Sequence, residues 1–486
     1  MTSEGTGRTE GEQAGATLRP HRESLDLISH PQHPEPLMPT SRLAPTLSAA
    51  AMIAMIAGSI TAQTVPSVNL GKASAKSKYT LGHLFSLQEL PDGRVVASDT
   101  KEQVFRMVDL NKGDVGIVGK QGDDAESYRM ASNILRLPGD SLGLYDPVGR
   151  KMLHLTPQGS VAGFVPLPTM SNNRRIGTLI GADQNGSLYF TLPEQFDTAT
   201  KALVGTTGVT RFSPGADADE PQLTFRTRRA DQVKLGGMMP FIFRDAIAIR
   251  SDGLMARVVA DTYQVVWGRN GKETGRTGPL PFTPIMLSET EQKAVKDSVI
   301  EGLKSMMASG PGGPNGSSMG GAGRGSPMAA GAMSGGGDRT VVVMGGGGGA
   351  PVMMGSGSGV FVRELTAADA AKGGAGAAGD TKVITNAAFN PADLKFGEFP
   401  SYKPPMPQGN NVAMFDANGN LWVARSTVHG DAVPHYDVIA EGKGLIGRVN
   451  LPSGTRLLGF GKNVVYLART EEGSDWLERY TMPKLQ

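Results

Sequence analysis

The sequence predicts an all-β fold of repeated four-stranded antiparallel sheets, and three observations carry that prediction. From about residue 80 onward, short apolar runs alternate with turns rich in Gly, Asp, Asn and Pro. One unit (strand, tight turn, strand, turn, strand) occurs six times. Its copies also share a spacing, apart from two longer gaps: second strands beginning at Val95, Leu142, Leu188, Leu254, Leu421 and Val464 lie 47, 46, 66, 167 and 43 residues apart. Removing a foreign block at 286–405 brings the 167 back to 47. A period of about 40–50 residues built from small antiparallel sheets is the signature of a β-propeller, here with six blades.

Taken from the N-terminus, residues 1–37 are polar, Pro-rich and acidic, and are expected to be a non-native or disordered extension. Met38 opens a segment with Arg42, the apolar run Leu47–Ala57, and small residues at Gly58, Ser59, Thr61 and Ala62. That order reads as a secretory signal over 38–62. Its core is too short for the roughly 20 apolar residues that cross a bilayer, so the expectation is export to the periplasm or beyond, with no permanent membrane span.

Blades one to four are expected within 63–285. The first reads Leu84–Leu90, turn Pro91-Asp-Gly-Arg94, Val95–Asp99, then Val104–Val108. The second reads Asn133–Leu137, turn, Leu142–Asp146, Lys151–Leu155. The third has Thr178–Gly181 and Leu188–Phe190, and the fourth Ala246–Ile249, Leu254 to Asp261, and Val265–Trp267. Gly and Asn recur at the turns because tight hairpins need positive φ. Fourth strands show at Val115–Val118 and Val161–Phe164.

The block at 286–405 is an insertion between blades four and five. Ser288-Glu-Thr-Glu291 has the form of a capping box, and Val295, Val299, Ile300, Leu303, Met306 and Met307 follow at helical spacing. A helix over 288–307 is expected, its Met-rich stripe packing on the propeller. Residues 309–379 hold 24 of the chain's 66 Gly. Such a composition buries too little apolar surface to offset ordering entropy, so a Gly-rich disordered loop is expected. Gly345–Gly349 lacks the Lys-Ser/Thr and the strand-to-helix context of a phosphate loop. Val341–Val343 and Val360–Val362 read as a small accessory hairpin, and Pro400–Pro407 as an extended return.

Blades five and six occupy 406–486. They read Val412–Phe415, Leu421–Arg425 and Leu445–Val449, then Arg456–Phe460, Val464–Arg469 and Trp476–Tyr480. The sixth ends after three strands. The segment around Val65–Lys72 is therefore expected to supply its fourth strand and close the ring.

Composition narrows the function. With no Cys, disulfides, Cys-ligated zinc, iron–sulfur clusters and thiol nucleophiles are excluded. Lys+Arg 48 against Asp+Glu 46, without a basic block, argues against nucleic acid as partner. No cofactor is implied.

Pro91-Asp-Gly-Arg-Val-Val-Ala-Ser-Asp99 with Val104–Val108 resembles the repeat of NHL-type six-bladed propellers, and Leu254 to Trp267 follows it more loosely. The chain is also similar to exported six-bladed propellers of bacteria. The shared pattern is Pro-Leu-Pro, an inserted helix, a Pro-rich return and Asp-x-x-Gly-x-Leu-Trp, here Asp416 to Trp422. The resemblance covers most of 80–285 and 406–485. It implies architecture rather than activity, because such propellers include ligand binders, scaffolds and a few enzymes.

Topology supplies the site expectation. Asp99, Asp146, Asp261, Arg425 and Arg469 each end a second strand and so should ring one rim, with Arg244 entering blade four from the same side. Each Asp could equally serve only the turn amides beside it. His429 and His435 hang from that rim, but a lone His-x5-His in a loop does not make a metal site. The expected function is a non-catalytic binding module for a protein, peptide or small polar ligand. The alternative is a metal-assisted hydrolase or lyase working in the central funnel.

Overall fold

The computed structural model describes residues 65–167, 177–192, 196–197, 202–203, 206–213, 220–226, 241–308, 396–409 and 411–485. Residues 1–37, the expected signal at 38–62, the Gly-rich stretch 309–379 and its accessory hairpin lie outside them.

Two short strands come first, β1 (Ser67–Asn69) and β2 (Ala75–Lys76). Blade one is β3 (Leu84–Glu89), β4 (Val95–Asp99), β5 (Val104–Asp109) and β6 (Asp114–Ile117), each pairing antiparallel with the next. Blade two is β7 (Ile134–Arg136), β8 (Leu142–Asp146), β9 (Lys151–Leu155) and β10 (Val161–Pro166). Blade three begins with β11 (Leu179–Ala182) and β12 (Leu188–Thr191). A two-stranded hairpin, β13 (Phe196–Asp197) and β14 (Ala202–Leu203), then intervenes before β15 (Thr206–Phe212) and β16 (Glu220–Arg226). That hairpin contributes to the 66-residue spacing after Leu188.

Blade four is β17 (Ala246–Ile249), β18 (Met255–Val259), β19 (Gln264–Arg269) and β20 (Lys272–Arg276). The helix α1 (Glu289–Ala308) follows. Blade five is β21 (Ala413–Phe415), β22 (Leu421–Ala424), β23 (His435–Ala440) and β24 (Gly444–Asn450). Blade six is β25 (Thr455–Gly461), β26 (Val464–Glu471) and β27 (Ser474–Thr481). The chain is a six-bladed β-propeller.

Closure differs from the expectation by a few residues. Ser67–Asn69 lies parallel to β24, a fifth strand on blade five, while Ala75–Lys76 pairs with β27 and completes blade six. The reason is apolar. Leu70 is buried with Val449, Leu451 and Leu457 between blades five and six, which anchors the segment before it beside β24.

The core is distributed between blades. Among the described residues six apolar clusters occupy the six seams, and second strands feed two seams each. Val95 and Ala97 face blade six while Val96 faces blade two; Leu421 and Val423 face blade four while Trp422 faces blade six. Alternate side chains point to opposite faces, and both faces are covered, so second strands read as continuous apolar runs.

First turns are built by a repeated device. Asp416 Oδ1 accepts the amides of Asn418 and Asn420, both at 2.9 Å, and Oδ2 accepts Trp422 Nε1–H at 3.0 Å. Asp183 does the same with Asn185, Ser187 and the Tyr189 hydroxyl. Gly419 and Gly186, each at φ 79°, supply the left-handed residue these turns require.

The insertion leaves and returns at one place. Met286 bridges Tyr402, and Lys403 N–H bonds Ile285 O at 2.8 Å. Ser288 Oγ accepts the Glu291 amide at 3.2 Å, as the capping pattern predicts. Glu291 and Lys403, both buried, form an ion pair there. Of the expected stripe, Val295, Val299 and Ile300 are half-buried; the side chains of Leu303, Met306 and Met307 lie outside the described set. No helix among the described residues is long and apolar enough to cross a membrane.

Candidate functional site

The innermost strands β3, β7, β11, β17, β21 and β25 line a central channel of about 1760 Å³. Its middle is walled by Phe85, Gln88, Ile180, Ile247, Ile249 and Met414, all half-buried. Two mouths follow from topology. At one lie the turns from first to second strand, with Asp92, Asp140, Asp252, Asp416 and Lys462. At the other, where first strands begin, lie Ser132, Thr178, Arg244 and Asn411.

Charges at the turn mouth are mostly paired. Arg250 bonds Asp252 at 2.8 Å and Glu441 at 3.0 Å, Arg269 joins Asp252 at 2.7 Å, and Arg136 meets Asp140 at 3.2 Å. The Arg250 guanidinium, outweighing the effect of burial and helped by Arg269, holds the Asp252 carboxyl well below the usual range. Lys462 is exposed and its ammonium has no ion-pair partner among the described residues; its backbone amide bonds Glu89 Oε2 at 2.8 Å.

The residues expected on the opposite rim separate into different roles. Arg244 lines the channel. Asp99 is fully buried and accepts the amides of Gly82, His83 and Glu102 at 2.8–3.1 Å and Arg106 Nε–H at 3.0 Å. Burial pushes its carboxyl up, but those amides and the guanidinium pull it to a net value below the ordinary range. Asp146, also fully buried, accepts the amides of Arg129, Val148 and Gly149. Both carboxylates are committed within the blades and stand away from the channel lining, so the turn-capping role describes them.

Asp261 is exposed beyond the end of β18, and it too is outside the channel lining. Arg425 Nε, buried, stands 3.6 Å from Asp437, a fully buried carboxylate that also takes Arg448 at 3.0 Å and the Tyr263 hydroxyl at 2.7 Å. Burial, then the adjacent Asp437, pushes the Tyr263 hydroxyl well above its ordinary pKa. Arg469 pairs with Glu478 at 2.8 Å and bonds Ser453 O. Burial and the Glu478 hydrogen bond raise the neighbouring Tyr480 to about 12. His429 is exposed. His435 sits between Asn450 Oδ1 at 2.7 Å and Asp431 Oδ2 at 3.1 Å. Among the described residues, no three His, Cys, Asp or Glu side chains gather to hold a metal ion.

Sequence reasoning placed the site on second-strand ends and passed over the channel wall itself. The signal was present in the repeat: the first strand of every copy is the innermost one, so its half-buried positions are wall positions.

No family model matches the chain, and no curated protein matches it. Among solved structures, a streptogramin B lyase is 14% identical with a TM-score of 0.27, covering 43% of this chain and 60% of that one. The virginiamycin B lyase of Staphylococcus aureus is 11% identical with a TM-score of 0.25, covering 41% and 58%, so each of these two matches spans about three fifths of the lyase chain. A Bacteroides fragilis protein assigned as exported is 7% identical with a TM-score of 0.41, covering 87% and 100%. These likenesses carry no activity to this chain, whose architecture rests on its own sheet topology.

Proposed function

We propose that this chain is an exported propeller acting as a binding module, its ligand held in the central channel with Arg244 at one mouth and Lys462 at the other. One observation carries the reading. The channel, about 1760 Å³, is walled mostly by half-buried apolar side chains and rimmed with charge at the turn mouth, the combination that ligand pockets share. Asp99 and Asp146 are occupied within their own blades and Asp437 in joining blades four and five, which leaves the channel wall as the surface a ligand meets.

The test is direct. Gln88→Trp narrows the channel without touching a seam hydrogen bond. Purified protein is screened by melting shift against peptides, sugars and organic acids, and a ligand found in this way is expected to lose its shift in Gln88→Trp. An unchanged shift in that variant, or metal-dependent hydrolysis of lactones or esters by the native protein, would overturn the binding reading. Export is tested separately by the N-terminal peptide of native material, expected near residue 63. A peptide from within 1–37 would sink the reading of those residues as a non-native extension.

A further inference from the structure

Each innermost strand pairs with its own blade along one edge and turns the other edge to the channel. In an antiparallel pair only alternate residues exchange bonds with the partner strand, and the residues between aim N–H and C=O the opposite way. In blades one to three this inward edge is capped in part by side chains. Ser86 Oγ accepts the Ile134 amide at 3.0 Å, Asn133 Nδ2 donates to Leu179 O at 2.6 Å, and Arg136 donates to Glu89 O at 2.5 Å. Asn411 Nδ2 reaches from blade five to Phe85 O in blade one at 3.2 Å.

Blades four and five differ. The bonds Arg250 N to Leu254 O, Asp416 N to Asn420 O and Ala424 N to Val412 O set the register. Counting alternately from them turns Ile247 and Ile249 of β17, and Ala413 and Phe415 of β21, toward the channel. Among the described residues, these four take no side-chain cap and no backbone bond from another blade. Neighbouring strands therefore present two uncapped edges to a cavity large enough to reach them.

We propose that these edges form a seam for an extended peptide, which adds a strand inside the channel; the inference rests on the channel-binding reading above. Backbone donors and acceptors repeating at every second residue complement an extended backbone, the chemistry of strand addition. Size agrees, since about 1760 Å³ exceeds the roughly 300–1,000 Å³ of small-molecule sites. Four residues of β17 span about 13 Å, so the occupant is a peptide of some four to six residues. Ile180, Ile247, Ile249 and Met414 favour apolar side chains along it.

The probe is a mixed pool of blocked pentapeptides passed over immobilised propeller, retained species being identified by mass. A retained peptide is expected to slow amide exchange at Ile247, Ile249, Ala413 or Phe415. N-methylation of its alternate amides should weaken it about tenfold, the worth of one or two hydrogen bonds. Ala413→Pro should do likewise with the melt retained, because the ladder bonds run through Val412 and Met414 and proline is tolerated on an outward N–H. Retained peptides that leave those amides unchanged, or whose N-methylated forms bind equally, overturn the proposal. Should sugars or organic acids bind in a manner lost in Gln88→Trp while no peptide is retained, the channel reading stands and the peptide seam falls. With no probe bound at all, both fall.

Discussion

Asp99 shows how one residue type serves different ends along this chain. Its four accepted bonds consume the lone pairs of a fully buried carboxylate, leaving nothing to offer a ligand. Asp99→Asn places an amide NH₂ against N–H donors and strands Arg106. A loss of about 3 kcal/mol is expected in denaturant unfolding, with ligand affinity unchanged. The pH dependence has a definite sign. Because the folded carboxyl lies below its ordinary value, the unfolded chain binds the proton more readily. Its contribution is complete above the unfolded pKa of about 3.9 and fades as pH falls below that. Melting temperature should drop on acidification below about pH 4, and Asp99→Asn should flatten that drop. An equally steep acid loss in the variant would place the effect elsewhere. At the same scale, Gly459 is required by proximity: a Cβ there would come within 2.8 Å of Leu87 O, so the inner strands of blades six and one meet as closely as they do only over glycine.

At the scale of elements, the informative piece is α1, which is held by its first turn. Ser288 caps it, and the buried pair of Glu291 and Lys403 fastens it to the returning segment, where Lys403 also bonds Thr427 O at 2.5 Å. Removing one partner leaves a buried charge uncompensated, at a cost of about 3–5 kcal/mol. Lys403→Met is thus expected to release the helix, seen as faster amide exchange over 289–300 with the blades still protected. Lys403→Met combined with Glu291→Leu should recover most of that protection, since two apolar groups replace two charges. Failure of the double variant to recover would mean that the pair itself, rather than the removal of an unpaired charge, holds the helix. The sequence marked this helix through its capping box and stripe, yet nothing in it joined Glu291 to Lys403 across 112 positions.

For the whole molecule, closure of the ring is the dominant constraint. The N-terminal segment touches two blades: Ser67–Asn69 runs beside β24, Leu70 is buried in the seam behind it, and Ala75–Lys76 completes blade six. Asn450 fastens the first part through Asn69 Oδ1 at 2.7 Å. A chain starting at Ser77 loses both strands and exposes the edge of β27. Its melting temperature is expected to fall by about 10 °C or more, as several kcal/mol of seam burial and ladder bonding go, with aggregation through the freed edge. A truncated chain that melts with the full one would show that blades one and six seal the ring unaided.

The sequence by itself determined the number of blades, the turn chemistry, the inserted helix and its cap, because each depends on spacing or on neighbours a few residues away. Asp416 and Trp422, six residues apart, are an instance: the turn geometry that joins them is local, so its residues can be read in a line. Only the tertiary structure decided which carboxylates face inward, where the N-terminal strands dock, and which inner edges stay uncapped. Those outcomes turn on partners from different blades, such as Asn411 on Phe85 O or the Leu84 amide on Asp475, and on a two-residue alternation in which one bulge exchanges wall for seam. Periodicity specifies a blade. What the ring presents at its centre is set by how six blades meet.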